Sequence, residues 1–243
     1  MGWDISFHPI SESELFEWYF DRLPEIKRNN TRPAKKIAKK WGIPNLHIKN
    51  YINILKEGAK TKHSISFNST HCYFCAIVQG FFRPYQYVRG AAFTFALEAN
   101  PNLMEGYIKK WEDIVPPGFE NPILNKLNYS YSGGAYLPNE NLERLIHDYK
   151  TNPEVKDCMD YNLKGEKNVE ILFKAVHYAI DNGLGVLEAT EVIEPKPFDL
   201  NNSRCRSNLH NCDPEGALLY AQAAVDEIKE IAKTHPNILI KLK

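Results

Sequence analysis

A chain of 243 residues with 43% hydrophobic and 25% charged residues is long enough to bury a core, which excludes disorder and collagen-like structure. Lys plus Arg balances Asp plus Glu at 30 each, so no net charge draws the whole molecule to a polyanion. The charges are unevenly placed: residues 27–62 hold eleven basic residues and one acidic one, whereas residues 97–200 hold ten basic and eighteen acidic.

The first residues alternate polar and apolar side chains, with no basic segment followed by an apolar run, so no secretory signal is read there. Five cysteines, an odd number, do not make a dense disulfide framework, and a reducing, cytoplasmic location is expected. The stretch Ser64 to Phe82 lacks charge but carries Ser, Asn, Thr, His and Gln, which predicts a core element and no membrane partner.

In chain order, Gly2 to Ile10 has the period of a strand, with Trp3, Ile5 and Phe7 on one face and Asp4, Ser6 and His8 on a face predicted to be wet. Ser11 and Glu14 form a capping box, and Leu15, Trp18, Tyr19 and Leu23 follow at helical spacing up to Pro24. The basic stretch comes next. A helix capped by Thr31 places Ala34, Ile37, Ala38 and Trp41 on one side and Lys35, Lys36, Lys39 and Lys40 on the other. After Gly42 a second helix, Pro44 to Gly58, carries Ile48, Tyr51, Ile52 and Leu55 as its apolar stripe.

Residues 34–53 resemble the helix-turn-helix of DNA-binding proteins, with Ala38 at the helix contact, Gly42 at the turn and Ile48 in the second helix's core face. The resemblance implies that Asn45, His47, Lys49 and Asn50 face the major groove and that Lys35, Lys39 and Lys40 meet phosphates. The opposing reading is an ordinary helical hairpin whose solvated lysines are balanced by the chain's acidic half.

Ser64 to Glu98 is dense in aromatic and branched residues and is predicted core. Leu103, Tyr107, Ile108, Trp111 and Ile114 suggest a further helix ending at Pro116-Pro117-Gly118. Asn128 to Tyr131 reads as a strand, Ser132-Gly133-Gly134 as a turn, and Pro138 as the start of a helix through Tyr149. Val169 to Ile180 is helical up to Asn182-Gly183. A strand from Gly185 to Ile193 puts Val186 and Val192 on one face and Leu187, Ala189 and Ile193 on the other. Asp213-Pro214-Glu215 starts a helix predicted to bury Leu218, Ala221, Val225, Ile228 and Ala232, and Ile238, Ile240 and Leu242 suggest a last strand.

No phosphate-binding glycine loop, nucleophile elbow or metalloprotease helix occurs. Cys72, Cys75, Cys205, His210 and Cys212 are the candidate zinc ligands, but Tyr73, Phe74 and Ala76 around the first pair are the company of buried thiols, so no metal and no other cofactor is expected. Glu188, Glu191 and Glu194 do not fall side by side on a strand, and His147 and His177 sit in helices.

The segment Tyr131-Ser132-Gly133-Gly134-Ala135-Tyr136-Leu137-Pro138, the later Gly183-Leu184-Gly185-Val186-Leu187-Glu188-Ala189-Thr190-Glu191-Val192, and the opening Gly2-Trp3-Asp4-Ile5-Ser6-Phe7-His8-Pro9 resemble blocks in uncharacterised cytoplasmic proteins of bacteria. Proteins of this makeup are similar to toxin-neutralising immunity proteins, which implies a role in binding another protein.

The expected fold is α+β (mixed α/β), helix-rich in its N-terminal half with a strand-helix opening and mixed in its C-terminal half. A single domain, 1–243, is expected, with 1–115 and 119–243 as the alternative division. The expected function is non-catalytic binding of another macromolecule, first a protein. The alternatives are nucleic-acid binding through residues 31–58 and an enzyme whose scattered site uses His8 or the Cys72/Cys75 region.

Overall fold

The strand that opens the chain, β1 (Asp4–Ile10), lies in the middle of a five-stranded sheet. The computed structural model describes residues 3–61, 69–119, 127 and 131–234. After β1 come α1 (Glu12–Trp18), α2 (Leu23–Lys27), α3 (Arg32–Lys40), α4 (Asn45–Gly58) and α5 (His71–Phe82). Then follow β2 (Tyr85–Arg89), α6 (Phe93–Ala99), α7 (Pro101–Met104), β3 (Gly133–Leu137), α8 (Asn139–Thr151), α9 (Pro153–Asn162) and α10 (Glu166–Asp181). The chain ends its described part with β4 (Gly185–Thr190), β5 (Ile193–Glu194), β6 (Arg204–Cys205), β7 (Cys212–Asp213) and α11 (Glu215–Thr234).

The fold is α+β. The sheet order is β3-β4-β1-β2-β7, with β1 antiparallel to both β2 and β4, and β7 parallel to β2. Ile10, Tyr136, Leu187 and Ala189 point to one face, where they pack with the helices of residues 12–82. Ile5, Phe7, Val88, Ala135, Leu137 and Val186 point to the other, against α6, α8, α9 and α10. The two cores are the expected result of strand alternation when helices cover both sides of a sheet.

This double cover overturns the wet face predicted for β1. Ser6 and His8 are fully buried and Asp4 nearly so. Their polar groups are satisfied internally: His8 bonds Gln79 and Ser6, and the Tyr87 hydroxyl donates to Asp4. Alternation marked a strand correctly, but polarity did not mark solvent.

Four further expectations change. The helix expected across 103–114 breaks into α7 and two short 3-10 turns, at 105–107 and 111–113, because Lys109 N–H donates to Tyr136 O at 2.9 Å on the open edge of β3 and draws the chain into an extended bridge. The turn expected at 132–134 is instead the entry to β3. There Gly133 lies against Cys72, and Gly134 lies against Glu188 and Thr94, places where a Cβ would collide. The strand expected at 128–131 falls outside the described residues except for Tyr131. Glu191, at φ 58°, ends β4, and the bend turns Val192 into the same core as Leu187 instead of the one holding Val186.

The fourth change concerns α11. Its first turn is docked, with Ala217 buried against Tyr85, Tyr87 and Ile193, and Leu219 reaching the second core. The predicted stripe is not buried: Leu218 is 46% exposed, Val225 44% and Ile228 56%. The sheet meets α11 chiefly through β2. Beyond it a cleft of about 600 Å³, lined by Gly90, Lys164, Lys167 and Asp226, lies between α11 and the start of α10, so the helix runs out past its support. The strand expected from Ile238 to Leu242 lies outside the described residues.

Candidate functional site

The α3–α4 hairpin forms as its spacing predicts. Ala34 and Ala38 of α3 and Ile48, Tyr51, Ile52 and Leu55 of α4 are buried together, and the Tyr51 hydroxyl donates to Trp18 O at 2.6 Å. Gly42, at φ 70°, makes the turn, while Ile43 N–H donates to Ala38 O at 2.9 Å and closes the end of α3. Thr31 stands at the start of α3 but its side chain makes no capping bond, because its backbone is already helical. Trp41 locks the turn onto the body, edge-on to Trp18 at 5.2 Å and under the Arg83 guanidinium at 5.0 Å, which also pairs with Glu14.

Lys35, Lys39, Lys40, Asn45, Lys49 and Asn50 are all exposed on this hairpin. His47 is not among the outward residues: it is half-buried, with its ring 5.9 Å from Phe81 and Nδ1 enclosed, and burial lowers its pKa. The groove-facing role implied by the helix-turn-helix resemblance therefore loses one of its four reading residues. The balancing of the lysines by the acidic half takes no form of direct ion pairing among the described residues. Among the described residues of the stretch, Lys40 alone forms an ion pair, with Glu17 of α1 at 3.7 Å, and the acidic residue Glu57 pairs with Arg206. Acids of the second half instead pair locally, as Asp160 and Glu166 do with Lys156.

The thiol and imidazole candidates are kept apart. Cys72 and Cys75 are fully buried on α5, and burial pushes both thiols well up. Cys72 lies at the Gly133 end of that helix, whereas the 205–212 segment packs at its other end, with Ser207 donating to Ile77 O and Asn211 to Gly80 O. Cys205 and Cys212 are half-buried near Tyr85, and burial raises both. His210 is exposed. Among the described residues no cluster of three or more His, Cys, Asp or Glu side chains has a metal-binding arrangement.

Two buried titratable groups were not picked out as a pair. His8 lies stacked on Tyr85, centroids 4.7 Å apart, with Nδ1 2.6 Å from Gln79 Oε1 and Nε2 2.8 Å from Ser6 Oγ; burial lowers its pKa to about 4 despite the Gln79 bond. Gln79 is itself fixed by donating to Pro9 O and Pro84 O, both at 3.1 Å. Glu188 points to the other face of the sheet. It accepts from the Thr94 N–H at 3.1 Å and from the Thr94 hydroxyl, and burial raises it to about 7 against those bonds. Because His8 and Glu188 are on opposite faces and neither reaches solvent, they cannot act together on one substrate.

The exposed apolar surface is concentrated at the C-terminal helix. Beside the outward side of α11 a groove of about 430 Å³ is lined by Tyr87, Pro195, Pro197, Phe198, Tyr220 and Ala221, and Phe198 is 84% exposed. With Leu218, Val225 and Ile228 these residues make one continuous apolar face, of the kind that monomeric proteins seldom leave open. No helix among the described residues is long and apolar enough to cross a membrane. Comparison of the chain with protein-family models, with curated proteins and with solved structures gives no match in any of the three.

Proposed function

We propose that this protein works by binding another macromolecule, in the first place a protein, through the apolar face of α11 and the groove beside it. The observation that carries the reading is the exposure of Leu218, Val225 and Ile228 on a helix that, among the described residues, is docked by its first turns. Leaving three large aliphatic side chains about half in water forgoes on the order of 1 kcal/mol each relative to burial, a cost that a docked partner removes. The residues from which a scattered catalytic site was to be built, His8, Cys72 and Cys75, are sealed in the core, which also favours binding over catalysis. The test is a photo-crosslinking amino acid at Val225 in cells that make the protein, with the exposed Glu143 as control. A protein adduct at 225 and none at 143 is expected, and no protein adduct at 225 overturns the reading. A toxin as the captured protein would extend it to immunity.

A second reading is favoured by one specific observation: Lys35, Lys36, Lys39, Lys49 and Lys56 are exposed on one hairpin without an acidic partner among the described residues. Such a face suits a polyanion, and nucleic acid is the alternative partner. A labelled duplex titrated at low and high salt tests it.

A further inference from the structure

The outward stripe of α11 is an amphipathic helix face that no described element covers. Leu218, Ala221, Val225 and Ile228 recur at intervals of three, four and three, the a and d spacing of a coiled-coil seam, with Ala224 flanking it. Ala224, Tyr220 and Ile231 widen the stripe into an apolar face that no described element covers, and its a and d spacing lets another helix lie alongside.

The seam is also self-complementary. When two such helices run antiparallel, a positions of one meet d positions of the other. A single register then gives four layers: Leu218 against Ile228, Ala221 against Val225, and the same two pairs reversed. Each outer layer sets two large side chains together, and each inner layer sets a small one against a branched one, so the helices approach most closely at Ala221 and Ala224. The same register brings Glu215, in the first turn, beside Lys229 of the other helix, opposite charges at flanking positions. In the single chain Glu215 pairs with Lys174 and Lys229 with Asp226. A surface that matches itself under a half-turn is what an isologous dimer requires.

Size points to a second element. A seam of four layers, about 16 Å long and roughly 10 Å wide, offers less than the about 800 Å² per partner found in stable interfaces. The groove of Pro195, Pro197, Phe198 and Tyr220 supplies the remainder. It lies beside the N-terminal turns of α11, where the antiparallel register places the C-terminal turns of the other helix.

Resting on the protein-binding reading above, we infer that the occupant of this face is a second copy of the chain. The two α11 helices pair antiparallel, each laying its Ile228 end along the other's Leu218 and Phe198. Light scattering on the eluting full-length protein should give twice the chain mass. Val225→Glu or Ile228→Glu should weaken the dimer by about a hundredfold or more, because each would place a charge in the seam. Both positions are exposed in the single chain, so an unchanged circular dichroism spectrum shows that the monomer still folds.

Orientation is tested by cysteine pairs. The double variant Ala221→Cys/Val225→Cys should form an intermolecular disulfide on mild oxidation, whereas Val225→Cys alone, which would link parallel helices, should not, with the unsubstituted protein as control. A monomeric wild type, or a dimer untouched by both glutamates, overturns self-pairing. A dimer linked by Val225→Cys alone overturns the antiparallel register. If the wild type is monomeric and the probe at Val225 captures a different protein, self-pairing fails while the protein-binding reading stands. If it captures none, both fail.

Discussion

Burial at two histidines and one glutamate makes stability depend on pH, in opposite directions. His8 has a folded pKa of about 4, below its ordinary 6.5, because the core and its neighbours Ser6, Gln79 and Tyr85 offer no charge to stabilise an imidazolium. Its contribution is fully present above pH 6.5 and is lost as the pH falls through 4, on the order of 3 kcal/mol in all. His71, bonded to the Tyr19 hydroxyl at 2.6 Å, is lowered to about 4 by burial and then by Lys27, and acts in the same window. Denaturant unfolding between pH 7 and 4 should therefore show steep acid loss, with a shallower slope in His8→Asn. Glu188 works the other way. Its pKa is raised to about 7, so it contributes fully below 4.5 and loses that contribution as the pH rises through 7. Glu188→Gln keeps an acceptor for Thr94 and cannot ionise. At pH 9 it should be more stable than wild type, by on the order of 2 kcal/mol, and near equal at pH 5, as read by the denaturant midpoint.

At the scale of the element, the α3–α4 hairpin was the most legible part of the chain, since its apolar periodicity, its turn glycine and its lysine face all stand where the spacing puts them. Gly42 adopts φ 70° with open space around it, so Gly42→Ala should cost about 1 kcal/mol through backbone strain alone, seen as a lowered melting temperature with unchanged salt response. Lys39→Glu with Lys40→Glu addresses the nucleic-acid reading. Two fewer phosphate contacts should flatten the slope of log affinity against log salt by about 2, and no duplex binding at low salt ends that reading. The inward turn of His47 was not legible: helical spacing places 47 near the boundary of the apolar stripe, and Phe81, which captures its ring, belongs to a different helix. The mistake at α11 has the same origin. Its apolar spacing was read correctly as a face that seeks burial, but whether the chain itself supplies the cover depends on how far the sheet edge extends.

At the scale of the whole molecule, the sheet joins the two ends of the chain. β1, from the first ten residues, is hydrogen-bonded along both edges, to β2 and to β4. Removing residues 1–10 would leave β2 and β4 without their shared neighbour, and the truncated chain should fail to fold, giving an unfolded circular dichroism spectrum or aggregation. In the intact protein tryptophan fluorescence and circular dichroism should report one coincident transition, since Trp18 and Trp111 are buried in the core made by the N-terminal helices and sheet residues from the C-terminal half.

The sequence by itself determined the α+β class, the opening strand, the hairpin, the helices starting after Pro138 and near Val169, and the separation of charge. These follow from local periodicity, caps and turn residues, which act over one or two turns of chain. It did not determine that Asp4, Ser6 and His8 lie inside, that Lys35, Lys36, Lys39, Lys49 and Lys56 find no acidic partner among the described residues, or that no described element covers the stripe of α11. Burial and charge pairing depend on which distant segments arrive, and here the decisive arrivals were α5 and α10 over the two faces of β1, and the lack of any described element over the outward side of α11. Local spacing decides which face of an element is apolar. Only the tertiary structure decides what, if anything, covers it.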